Sequence, residues 1–220
     1  VVDPSTERLS NATEASDIMD FTTYFTGLAA GLSLIVAIGA QNAFILRQGL
    51  RNEYVFAVCL ACALSDAILI VVGVTSLAQV VNLMPWLDPV MRYGGAAFLI
   101  WYGAKSLYSA VWSPGALQVS NGAGASFGKT MAMCLALTWL NPHVYLDTVI
   151  LLGTISTRFA GHQAAFAAGA VTGSFLFFFS LGYGAAWLRP IFSRPVSWRI
   201  LETIIACVMW LIAFKLLNGM

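Results

Sequence analysis

Six stretches of this chain are each long enough, and poor enough in charge, to cross the hydrocarbon core of a lipid bilayer. They span residues 21–46, 54–81, 90–112, 130–155, 163–188 and 198–217. A tilted transmembrane helix needs about 20 predominantly apolar residues. None of the runs shows the apolar–polar alternation of a membrane barrel strand, and helices satisfy their own backbone groups where no water is available. Composition agrees: 59% of residues are hydrophobic and 10% charged, against about 25% charged in ordinary soluble domains. The fold expected is therefore an all-α integral membrane protein with six transmembrane helices. A net charge of +1 excludes a generally basic nucleic-acid binder.

The basic residues orient the chain. Connectors one, three and five carry Arg47, Arg51, Lys105, Lys129, Arg189, Arg194 and Arg199, whereas the opposite side carries Arg92, Arg158 and Lys215 besides the distal Arg8. The positive-inside bias places those odd connectors in the cytoplasm and both termini outside. Residues 1–20 are polar and acidic, lack the h-region of a signal peptide, and are expected to form a disordered extension. The transmembrane unit would then be 21–217, with halves 21–112 and 129–217 joined by a Gly-, Ser- and Asn-rich linker at 113–128. Three segments per half force the second half to insert upside down, the arithmetic of a 3+3 inverted repeat. Gly27/Gly31 and Gly169/Gly173 are small-residue pairs that let helix backbones approach closely. Internal helix packing is their expected use, with a homodimer face the alternative. Trp86, Trp101, Tyr102, Trp112, Trp187 and Trp198 fall near segment ends, as interfacial anchors do.

Polar groups inside the apolar runs mark where to look for chemistry. The fourth run contains Leu137-Thr138-Trp139-Leu140-Asn141-Pro142-His143-Val144-Tyr145-Leu146-Asp147-Thr148. A proline within a helix removes a donor and clashes with the carbonyl four residues back, here Thr138. An aspartate near the bilayer centre costs roughly 2.5–3.5 kcal/mol on insertion scales. Asp66 lies near the middle of the second run and raises the same question; a protonated, hydrogen-bonded structural acid is the bland reading for both. His143 and Asp147 are four apart, on one face of a helix, where an imidazole beside a carboxylate can relay protons or simply bond a carbonyl. Gln41 and Asn42 interrupt the first run much as Asn141 interrupts the fourth. Amides both donate and accept, and those in lipid face either neighbouring helices or a wet cavity. Tyr145 is expected to lie against protein. Unwound carbonyls near Pro142 are the kind of group with which transporters hold small solutes.

Other chemistries find little support. No Walker A sequence and no H-E-x-x-H is present, no Ser-His-Asp spacing suggests an enzyme, and nothing calls for a cofactor. Cys59 and Cys62 form a C-x-x-C without a second pair, which reads as small apolar filler rather than a metal site. His162 sits in a short connector and is expected to be solvated.

Several of these residues together resemble the lysine/arginine exporter family of the LysE type. Ile38-Gly39-Ala40-Gln41-Asn42-Ala43-Phe44 followed by Arg47-Gln48-Gly49 is similar to its opening signature. Ser65-Asp66 matches its second-helix acid, Gly94-Gly95 with Trp101-Tyr102 its third segment, and the run from Thr138 to Asp147 its most specific motif. The likeness runs in order over 21–217. This chain has Ala37 and Ala40 where the family's motif carries prolines around its glycine. The resemblance implies export of L-lysine, L-arginine or close analogues across a bacterial cytoplasmic membrane, driven by the membrane potential or protons. It also implies that Asp66 and Asp147 are the important acids. Export of a neutral amino acid or a divalent metal, and a non-transporting membrane scaffold, are the alternatives.

Overall fold

A computed structural model describes residues 4–36, 39–83, 87–112, 126–192 and 195–218, and every regular element among them is helical. The long helices are α1 (Pro4–Ile35), α2 (Ala40–Arg51), α3 (Val55–Leu83), α4 (Leu87–Trp112) and α5 (Phe127–Trp139). After a short α6 (Pro142–Tyr145), a π-helical turn (Leu146–Leu151), α7 (Leu152–Ser156) and a 3₁₀ turn (Thr157–Phe159) come α8 (Gln163–Phe192) and α9 (Pro195–Leu217). Most of the 113–128 linker, Trp86 and Arg194 lie outside the described residues, as do the side chains of Pro142 and His143.

Four stretches among the described residues have the length and apolarity to cross a bilayer: Ser16–Ile35, Val55–Ser76, Gln163–Phe192 and Val196–Lys215. The other two runs depart from that pattern for visible reasons. Asp88, Arg92 and Lys105 punctuate α4, and the fourth run is divided into pieces too short to span alone. The polar start of the chain also differs from expectation. Residues 4–20 are helical and continuous with α1, consistent with the good helix formers Glu7, Arg8, Leu9, Ala12, Glu14 and Ala15.

α1 and α2 run alongside the single helix α8, in parallel. Tyr24 meets Gly169 and Leu28 meets Gly173, and further along Gly49 meets Gly182 and Ala185. The glycines make this contact backbone to backbone: a Cβ on Gly27 would run into the carbonyl of Phe166, and one on Gly169 into that of Tyr24. Gly31 and Gly173 line the same seam with slightly more room. Both small-residue pairs are thus spent within one chain. At the α8 entrance His162 Nδ1 lies 2.6 Å from Asp20 Oδ1, so this connector histidine ties α1 to α8 rather than standing in solvent.

Gly169→Ala is accordingly expected to cost more than the about 1–3 kcal/mol of ordinary overpacking, because the obstacle is backbone. Gly184→Ala, with open space around the added Cβ, serves as the neutral partner. Monodispersity and melting temperature in detergent distinguish them; equal behaviour of the two variants refutes the packing argument.

Candidate functional site

The two polar breaks in the apolar runs face one cavity. Its volume is about 430 Å³ and its lining includes Gln41, Asn42, Asp66, Asn141, Asp147 and Lys215 among aliphatic side chains and Phe178. That volume lies within the range of small-molecule sites, about 300–1,000 Å³.

The first break exists without prolines. α1 ends at Ile35 and α2 starts at Ala40, with Gly39 in an extended conformation before it. A helix end leaves carbonyls without intrahelical donors. Asn42 supplies one, its side-chain amide donating to Ile35 O at 2.7 Å. Gln41, one position earlier, is buried, lines the cavity, and has no hydrogen-bond partner for its amide nitrogen among the described residues. The two neighbouring amides therefore have different tasks: Asn42 fastens the break, and Gln41 presents a donor.

The second break is sharper than a proline kink. α5 stops at Trp139, and Pro142 is the first residue of α6, the position where a missing N–H costs nothing. The expected clash with Thr138 thereby never arises. Tyr145 donates its phenol to Trp139 O at 2.9 Å, and Trp139 donates its indole N–H to Ser65 Oγ at 3.1 Å. Tyr145 is thus occupied in closing the α5 end and is absent from the cavity wall. Asn141 is buried at the break and forms part of that wall.

Asp147 stands in the π-helical turn, where the N–H of Leu152 bonds the Asp147 carbonyl five residues back. Single π turns concentrate at functional sites, since they re-aim side chains at the expense of regular bonding. α3 fits against this turn at Gly73, where any side chain would collide with the backbone of Thr148 and Val149. Asp66 approaches from α3 itself. It is 3% exposed and accepts a hydrogen bond from the Ser174 hydroxyl of α8 at 3.1 Å. Asp147 is only partly buried. The two carboxylates thus come from facing elements and share one chamber, Asp66 deep and Asp147 nearer its edge.

A family model for LysE type translocators matches residues 32–219. The chain belongs to the LysE type translocator family. Proteins named arginine exporter protein ArgO, from Salmonella schwarzengrund (strain CVM19633), Salmonella enteritidis PT4 (strain P125109) and Salmonella typhi, are each 42% identical to it over 194 residues. The alignments cover 88% of this chain and 92% of each relative. No solved structure matches the chain. A LysE type translocator is a multi-pass membrane protein and not an enzyme, in keeping with the long apolar helices.

A second polar cluster of this translocator lies away from the cavity, at the end bearing Arg47, Arg51 and Arg189. Arg47 of α2 is paired with Glu202 of α9 at 3.1 Å, and the glutamate side chain is entirely buried. Glu202 was legible as an acid inside the last apolar run, by the same reasoning that singled out Asp66, yet its nearness to a segment end disguised it. Tyr102, buried rather than interfacial, lies beside Arg47 with its hydroxyl towards the guanidinium. Trp198 is likewise buried, beneath the Arg51 guanidinium at 5.2 Å, and Arg189 donates to Gly49 O at 3.0 Å. Basic residues of connectors one and five thus bind the helices together at that end. The C-x-x-C pair is divided between two neighbours: Cys62 Sγ lies 3.3 Å from Cys134 Sγ of α5, and Cys59 donates to Phe178 O at 3.2 Å.

Proposed function

We propose that this LysE type translocator exports basic L-amino acids, L-arginine foremost and L-lysine as a second substrate of the same charge, from the bacterial cytoplasm. The observation that carries the reading is the joint lining of one cavity by Asp66, Asp147, Gln41 and Asn141. Two carboxylates in an apolar chamber favour a cationic solute, and buried charges are retained where they are paired. Gln41 supplies a donor for the backbone end of the amino acid, and Asn141 a further amide. The names of the curated relatives point to arginine.

The organisation proposed with this reading is six segments in the cytoplasmic membrane, arranged as a 3+3 inverted repeat over 21–112 and 129–217. Connectors one, three and five face the cytoplasm. The matching breaks at the first and fourth segments suit a repeat whose interface holds the solute near the midplane. Coupling follows from charge. Moving one elementary charge through 100 mV is worth about 2.3 kcal/mol, so exporting a cation from a negative interior is uphill by that amount. Exchange for one entering proton cancels the charge movement. Asp66 and Asp147 would hold the amino-acid cations and the protons in turn.

Proteoliposomes loaded with labelled arginine, lysine or threonine provide the test. Arginine efflux is expected to exceed threonine efflux and to accelerate when the outside is made acidic. Efflux indifferent to the pH gradient refutes proton exchange; equal efflux of threonine refutes the preference for a cationic side chain.

A further inference from the structure

The cavity wall contains a cation that the two-acid description leaves out. Lys215, in the last turn of α9, lines the same chamber as Asp66 and Asp147, and no acid among the described residues is paired with it. The wall therefore offers two negative groups and one positive group. A basic amino acid offers the reverse: an α-ammonium and a cationic side chain against one α-carboxylate. Every charge on such a solute has an opposite on the wall.

We infer that Lys215 receives the α-carboxylate of the solute, so that the cavity selects basic amino acids over plain polyamines. The inference rests on the proposed export of basic amino acids and adds to it the group that reads the carboxylate. A pair of acids alone accepts any dication equally well. A site built to bond a carboxylate rejects the analogue lacking it, because the site's own polar group is then left unpaired. An ammonium on a flexible four-carbon stem can follow the carboxylate as the solute shifts. The competing use of Lys215 is purely interfacial: its stem lies along apolar surface and its head reaches the headgroup region. That use predicts no dependence on whether the solute carries a carboxylate.

The experiment compares labelled arginine with agmatine, its decarboxylated form, in proteoliposomes of the full chain. Lys215→Gln is expected to reduce arginine efflux about tenfold or more, the cost of a lost charged hydrogen bond, while agmatine efflux stays level or rises. Lys215→Arg is expected to restore most of the arginine preference. Parallel loss of both solutes, or unchanged arginine efflux in Lys215→Gln, overturns the inference and leaves basic amino-acid export standing. Wild-type vesicles that move neither solute overturn the export reading and this inference with it.

Discussion

Asp66→Asn is expected to reduce arginine efflux by about 30-fold or more while leaving the folded protein intact. Truncating one partner of a buried charge pair costs about 2–5 kcal/mol of binding, and each 1.4 kcal/mol is tenfold. Asparagine has nearly the shape of aspartate and keeps an oxygen for the Ser174 hydroxyl, so the local packing survives and only the charge is lost. Asp147→Asn is expected to have the smaller effect, since Asp147 is partly exposed where Asp66 is 3% exposed and solvent screens its charge more. Efflux rates normalised to reconstituted protein decide the matter. Wild-type rates in Asp66→Asn would remove the acid from the transport site, and a larger loss at Asp147 would reverse their ranking.

Glu202→Ala is expected to lower stability by about 3–5 kcal/mol, because removing one partner strands the other charge in the interior. Arg47 is 14% exposed and its partner fully buried, so water offers the stranded arginine little compensation. The double replacement Arg47→Met/Glu202→Leu is expected to recover much of the loss, as apolar pairs of similar volume often replace buried ion pairs without penalty. Thermal unfolding in detergent gives the comparison. A Glu202→Ala melting temperature equal to wild type would show that the pair contributes nothing to the fold.

What the sequence made legible was what is expensive in lipid. Asp66, Asp147, the amides and Pro142 stood out because each breaks an apolar run, and no structure is needed to see that. The glycine pairs were equally plain, since only backbone contact makes use of four-residue glycine spacing in a helix. Pairings between helices were harder to read. The spanning helices are apolar on nearly all sides, so no polar face says which way they turn. Nothing in the C-x-x-C spacing indicated that Cys62 meets Cys134 across helices rather than Cys59 along one. Tyr102 and Trp198 sat near segment ends, where an aromatic ring reads as an anchor, yet both are covered by partners on other helices. Glu202 and Lys215 were hidden in the same way, each by its place near an end of the last apolar run. The π turn has no sequence signature, and the close approach of α3 to it at Gly73 becomes visible only once the helices are packed.

The pairing of α4 with α9 has a consequence for how the chamber can open. These two helices run antiparallel, with Gly103 beneath Trp210 and Ala206 and the Trp210 indole bonded to Ile100 O. α9 rests chiefly on α4 and touches α8 and α2 only over short stretches, whereas α8 is packed extensively against α1, α2 and α3. Opening costs least where packing is sparse. The molecule therefore resembles a frame with a two-helix leaf: the chamber lies along the leaf's edge, and the Arg47–Glu202 pair is the pin near one end. A swing of that leaf would carry Val208, Leu211, Ile212 and Lys215 away from Asp66 and would leave the glycine seam between α1 and α8 in place.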